Sequence, residues 1–133
     1  MMKLYDASAI MNLLTDPKRV SVLAGNSILD LTLYEIGNAI WKKMRADQKP
    51  LTDCIIIMQH VLIILKNMKS LNVLNVEQDV LTVADKYNMT YYDTAYMVVA
   101  MKNNLELVTD DKKMKKSAIE YGIDVYSSDA VGI

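Results

Sequence analysis

Residues 105–126 read LELVTDDKKMKKSAIEYGIDVY. Glu106–Val108 predicts a short strand, Asp111–Tyr121 a helix, Gly122 a helix stop and Ile123–Tyr126 another strand. The same alternation extends outward to both sides. Tyr92–Asn103 and Glu77–Tyr87 read as helices, and Asn72–Val76 alternates like a strand. Thr52 or Asp53 starts an apolar helix through about Lys69. Another helix runs from Thr32 to about Ala46, with Leu33, Ile36, Ile40 and Met44 at helical spacing and Thr32 with Glu35 in the form of a capping box. Ser27–Leu29 and Lys3–Tyr5 are short strands, and Ala7–Leu14 is a helix closed by Asp16-Pro17. Strands separated by helices argue for an α/β fold: a parallel sheet of four to five short strands with helices on both faces. In such sheets ligands bind beyond the C-terminal strand ends.

The chain has 133 residues, one domain's worth, and no linker or repeat divides 1–133. Its apolar fraction of 52% supplies a core, and 15 basic against 16 acidic residues give a net charge of -1. That balance excludes attachment to DNA or membrane by bulk positive charge. The longest apolar run, Cys54–Leu65, has 12 residues, short of the roughly 20 a membrane span needs. It reads as a buried helix in a protein without a membrane association. Cys54 is the single cysteine, so an internal disulfide and a multi-thiolate zinc site are excluded. With no signal sequence apparent, a cytoplasmic setting is expected.

Four acids stand where the strand-end rule points or near helix starts: Asp6 in LYDASAI, Glu35 in LTLYEIGNAIW, Asp93 in YYDTAYMVVA and Asp111 in LVTDDKKM. Singly, each has an ordinary explanation as a turn residue or a helix cap. Together, each is an acid in apolar sequence, where an unpaired carboxylate is costly to desolvate. Four acids in one cleft repel unless a cation sits among them. Oxygen donors alone suit Mg²⁺ or Mn²⁺ rather than zinc.

These contexts, in this order and spacing, resemble the PIN-domain nucleases, and among them the small VapC-type toxins of toxin–antitoxin pairs. The resemblance runs from Lys3 to about Tyr126, carried by Asp6-Ala-Ser8, Glu35 with Asn38, Asp93 with Tyr96, and Thr109-x-Asp111. It implies a Rossmann-like α/β/α fold and hydrolysis of RNA phosphodiesters with Mg²⁺ or Mn²⁺. Asp6, Glu35, Asp93 and Asp111 are then the metal-site and catalytic acids, with Ser8, Asn38 and Thr109 as their supporting polar neighbours. It also implies a homodimer and a VapB-like antitoxin, for either of which the run Ile55–Leu65 offers a surface. The doubled Asp110–Asp111 leaves open which acid faces a metal. Asp110 is expected to point away and cap the following helix.

Glu35, Asn38, Lys42 and Arg45 share one helical stripe that turns from acidic to basic. Lys112, Lys113, Lys115 and Lys116 form a second basic patch. Lys42, Arg45, Lys112 and Lys113 are candidates for an RNA backbone, against the plainer reading of solvated helix faces. His60, the only histidine, reads as a core or interface residue, which removes histidine-dependent ribonuclease chemistry. Met58, Met68, Met97 and Met101 read as core or subunit filler. A phospho-accepting signalling domain fits poorly, because no lysine follows the last strand. A PIN scaffold that only binds RNA or protein, or a housekeeping nuclease, is the remaining alternative.

Overall fold

The computed structural model describes residues 2–132; Met1 and Ile133, the ends of the expected 1–133 domain, lie outside it. The order is β1 (Lys3–Tyr5), α1 (Ala7–Leu13), β2 (Ser27–Leu29), α2 (Asp30–Asp47), α3 (Leu51–Leu65), β3 (Lys69–Leu71), α4 (Glu77–Tyr87), α5 (Tyr91–Lys102), β4 (Glu106–Val108), α6 (Lys112–Tyr121) and β5 (Val125–Tyr126). All strands are parallel in the order β3-β2-β1-β4-β5. This is the parallel sheet covered on both faces that the alternation implies, in the Rossmann-like α/β/α arrangement that the resemblance implies.

Side chains on a strand alternate between faces, and here each face has its own core. Leu4, Leu29 and Leu107 pack with Val80, Met97, Met114 and Ala118, covered by α4, α5 and α6. Tyr5, Ile28 and Val108 pack with Ile10, Leu13, Ile36 and Val61, covered by α1, α2 and α3. Helix α5 is buried without a break from Thr94 to Ala100. Its residues there are mostly small or β-branched, which lets the helix lie close against the sheet.

Several boundaries differ from the sequence reading. The third strand is Lys69–Leu71, not Asn72–Val76, because Asn75 turns the chain at φ 73. Helix α2 starts two residues before Thr32, so the Thr32–Glu35 capping box does not form; instead the Thr32 hydroxyl accepts from Leu29 N at 3.0 Å. Helix α3 is not a buried helix: Cys54, Val61 and Leu65 face the core, while Ile55, Ile56, Ile57 and Ile63 are exposed. His60 is exposed on α3 and so is not a core residue. Met97 and Met68 are core, as expected, whereas Met58 and Met101 are half-buried. No helix among the described residues is long and apolar enough to cross a membrane.

Gly122 ends α6 in the left-handed region at φ 97, and a Cβ there would meet no atom within 4 Å. Substitution is therefore opposed by backbone conformation rather than by crowding. Gly122→Ala should cost about 1–2 kcal/mol in chemical denaturation.

Candidate active site

The sheet changes winding direction at β1: the chain builds β2 and β3 to one side, then crosses to place β4 on the other. Such a switch point opens a crevice at the C-terminal strand ends. Asp6 leaves β1 there, and Thr109, Asp110 and Asp111 leave β4, tied by the register Tyr5↔Val108 and by Asp6 N donating to Val108 O at 3.1 Å.

Asp6 is 4% exposed and strongly held. Its Oδ1 accepts from Ser8 Oγ at 2.8 Å and from Ala9 N at 2.9 Å, and its Oδ2 accepts from Thr109 Oγ1 at 2.5 Å. Asp6 thus caps α1 while keeping acceptor capacity on Oδ2. Burial pushes its carboxyl above the ordinary range, and the three hydrogen bonds only partly offset that.

Glu35 is half-buried on α2, and its Oε1 accepts from the Tyr96 hydroxyl at 2.6 Å. The Tyr96 oxygen is 2.7 Å from Thr32 Oγ1. Since the single Tyr96 hydroxyl proton goes to Glu35, the Thr32 hydroxyl donates to Tyr96 while accepting from Leu29 N, and one donor direction runs through the whole series. The proton order is Leu29 N–H to Thr32, Thr32 O–H to Tyr96, and Tyr96 O–H to the carboxylate. Burial and the Glu35 carboxylate push the Tyr96 phenol far up, so it stays a donor. Burial also raises Glu35, with repulsion from Asp93 and Asp6 added.

Asp93 sits in the first turn of α5, where its backbone N donates to the Thr90 hydroxyl at 3.1 Å. Its carboxyl is raised by burial and then by Asp111, and lowered by Thr90 and Lys113. Asp111 is exposed, and its Oδ1 accepts from Met114 N at 2.8 Å. Asp6, Glu35, Asp93 and Asp111 therefore form a series in which each feels a neighbour: Asp6 with Glu35, Glu35 with Asp93, Asp93 with Asp111.

The structure reverses the expected roles of the doubled acid as a helix cap. Asp111, not Asp110, caps α6. Asp110 accepts from Asn12 Nδ2 at 2.7 Å and from Ser128 N at 2.8 Å. Partial burial opposes its charge, but hydrogen bonds from Ser128 and Asn12 and the nearby Lys115 hold its carboxyl below the usual range. Removing it strands the Ser128 amide. Asp110→Ala should lower stability by about 1–3 kcal/mol, whereas Asp111→Asn, which still caps, should melt close to the parent.

Ser8 and Thr109 both lie against Asp6. Each hydroxyl donates to Asp6 and accepts from the β4 loop: Asp110 N to Ser8 at 3.1 Å, Asp111 N to Thr109 at 3.0 Å. Asn38 is exposed one turn along α2 and is not tied to the acids in this way. Lys42, Arg45, Lys112 and Lys113 are all exposed. Lys113 stands beside Asp93 and donates to Asn88 O at 2.7 Å. Lys115 is instead engaged with Ser127 Oγ.

As a donor set the four acids suit a hard divalent ion: oxygen only, with three of them carrying raised carboxyls. Among the described residues, no group of three or more His, Cys, Asp and Glu is arranged to hold a metal as it stands. An open series is compatible with Mg²⁺, which keeps several waters and takes one or two carboxylates directly.

No family model matches the chain. Exonuclease VapC9 of Pyrobaculum aerophilum is 36% identical over 88 residues, which is 66% of this chain and 63%, under two thirds, of VapC9. Ribonuclease VapC3 of the same organism is 29% identical over 116 residues, 82% of this chain and 88% of VapC3. The crystal structure of PAE2754 from Pyrobaculum aerophilum superposes with a TM-score of 0.82 at 30% identity, covering 98% of this chain and 86% of that one. A toxin–antitoxin complex from Klebsiella pneumoniae has a TM-score of 0.64 at 17% identity, over 95% and 97% of the two chains. At that identity it speaks for the fold alone. Sequence and fold agree, and the chain belongs to the VapC-type PIN-domain family.

Proposed function

We propose that this chain, as a single PIN domain, is a metal-dependent endoribonuclease and the toxin of a toxin–antitoxin pair. The observation that carries the reading is the open series Asp6, Glu35, Asp93 and Asp111, in which each acid is within electrostatic range of another. The names of VapC9 and VapC3 support nuclease chemistry. Asp111 is exposed and Glu35 and Asp93 are half-buried, which supports access by the interior of an RNA strand as well as by its end.

The four acids would hold Mg²⁺ or Mn²⁺, which when bound lowers the pKa of a water and neutralises phosphate charge. The protein's own contribution is positioning. Ser8 and Thr109 fix both oxygens of Asp6, and Tyr96 fixes Oε1 of Glu35. Lys113, with Lys112, Lys42 and Arg45, would carry the RNA backbone by salt-sensitive contacts. Asp111 is assigned to the metal side and Asp110 to structure. Asp111→Asn should accordingly stay folded and lose cleavage, while Asp110→Asn keeps most of it; the opposite ranking would move the metal to Asp110.

A cytoplasmic VapB-like antitoxin is the proposed partner. An arginine entering the acid cluster could form bidentate bonds there. The exposed isoleucines of α3 support a homodimer or partner contact, since exposed apolar faces mark interfaces.

Incubation of the purified chain with linear and circular single-stranded RNA tests the activity. Cutting of both with Mg²⁺ or Mn²⁺, stopped by EDTA, is expected. Cleavage persisting in excess chelator refutes the metal mechanism, and shortening of linear RNA alone makes the enzyme an exonuclease. Expression should slow growth, and co-expressed antitoxin should restore it. Nuclease activity without a growth effect indicates a housekeeping role.

A further inference from the structure

The two helix starts that carry Glu35 and Asp93 also build an apolar cleft beside them. Tyr34 precedes Glu35 and Tyr92 precedes Asp93; with Leu31, Val73, Tyr91 and Asp30 they line a cavity of about 230 Å³. Tyr34 is 77% and Tyr92 61% exposed. Neither ring is in an aromatic pair or a hydrogen bond among the described residues. Large flat rings left free in this way are a stacking platform for another π-system.

The chemistry of the rim narrows the ligand. Asp30 is the one charged residue among those lining the cleft, and no lysine or arginine lines it. This is a poor place for a phosphate and a suitable one for an uncharged flat group. The cavity is below the roughly 300–1,000 Å³ of pockets for drug-sized ligands, so it suits one ring system rather than an extended ligand. The cleft also opens at the C-terminal edge of the sheet, beyond β2 and β3. It therefore continues the candidate active site.

We propose that this cleft receives one unpaired base of a single-stranded RNA, stacked on Tyr34 and Tyr92, adjacent to the phosphodiester handled at Glu35 and Asp93. The inference rests on the reading of the site as an RNA-cleaving centre. A base must leave its helix to present a face to a side chain, so the cleft selects unpaired substrate. Every base has such a face, so the selection is for strandedness before sequence.

Cleavage kinetics with Mn²⁺ on an unstructured oligoribonucleotide test this. The substrate is used intact and with a single abasic site at each position flanking the cut. Tyr34→Ala and Tyr92→Ala should each raise KM by roughly five- to 150-fold, the value of stacking one base, with a smaller change in kcat. Phenylalanine at either position keeps the ring and should restore the affinity. One abasic position should raise KM for the parent by a similar factor, yet add little to the alanine variants. Both rings are exposed, so melting temperatures should stay close to the parent. If the alanine variants keep the parent KM, or their losses multiply with every abasic loss, the cleft is not a base subsite. Unchanged RNA kinetics together with an altered oligomeric state or antitoxin affinity would reassign it to a protein contact. If the parent itself does not cut RNA, the site reading fails and the inference falls with it.

Discussion

Glu35→Gln and Asp93→Asn should yield folded proteins whose RNA cleavage falls by more than the roughly 10–100-fold that loss of an outer-sphere partner of a metal site costs. Both changes preserve shape. Gln at 35 still accepts from Tyr96, and Asn at 93 keeps its backbone bond to Thr90. Tyr96→Phe keeps the carboxylate but removes its donor, so it should fall within that 10–100-fold band. Stability should move the other way. Burial, then mutual repulsion, raises the carboxyls of Glu35 and Asp93 above their ordinary values of 4.5 and 3.8. A raised carboxyl contributes stability that is full below its unfolded value and is lost as pH rises through the folded one. The parent should therefore lose ground to either variant between about pH 4 and neutrality, measured as the difference in melting temperature across that range. Variants that unfold at neutral pH would make these acids structural. Asp6→Asn is the less clean test, because the Thr109 hydroxyl donates to Asp6 and must find another acceptor.

Divalent metal should stabilise the parent as strongly as it activates it. A ligand that binds only the folded state at a hundred times its dissociation constant contributes about 2.7 kcal/mol. For a chain of this size that is a rise of roughly 10 °C in melting temperature. Mn²⁺ should produce the rise in the parent, EDTA should reverse it, and Glu35→Gln or Asp93→Asn should blunt it. This measurement needs no RNA, so it separates metal binding from catalysis. A parent whose melting temperature ignores Mn²⁺ while it still cleaves RNA would place the metal outside these acids.

How far the sequence could be read depended on whether a residue's role was local. Strands β1, β2 and β4 are legible because each is a short apolar run followed by a polar break. Strand β3 is not: KSL at the sheet edge is largely exposed, while the neighbouring NVLNV mimics alternation around a left-handed asparagine. The four acids stand out against apolar neighbours. Which of Asp110 and Asp111 caps α6 is not legible, because it depends on Asn12 and Ser128, distant in sequence. Helix α3 shows that hydropathy reports apolar surface without telling whether it faces the core or the solvent. Tyr34 and Tyr92 had only their position beside an acid as a signal, and nothing local says that the two rings share a cleft. Thr32 looked like a cap for its own helix, but its hydroxyl is committed to Tyr96 across the fold.

The placement of β1 between β2 and β4 has a consequence for biosynthesis. Lys3, Leu4 and Tyr5 pair with Glu106, Leu107 and Val108, a separation of about a hundred residues, and contacts that distant form late. During synthesis Asp6 is made 103 residues before Thr109, whose hydroxyl holds its Oδ2. A nascent chain therefore carries the Asp6 carboxylate through 103 residues of elongation without the loop that completes the cluster. A chain whose synthesis stops before β4 therefore carries Asp6 without Thr109, Asp110 or Asp111 and cannot assemble the cluster.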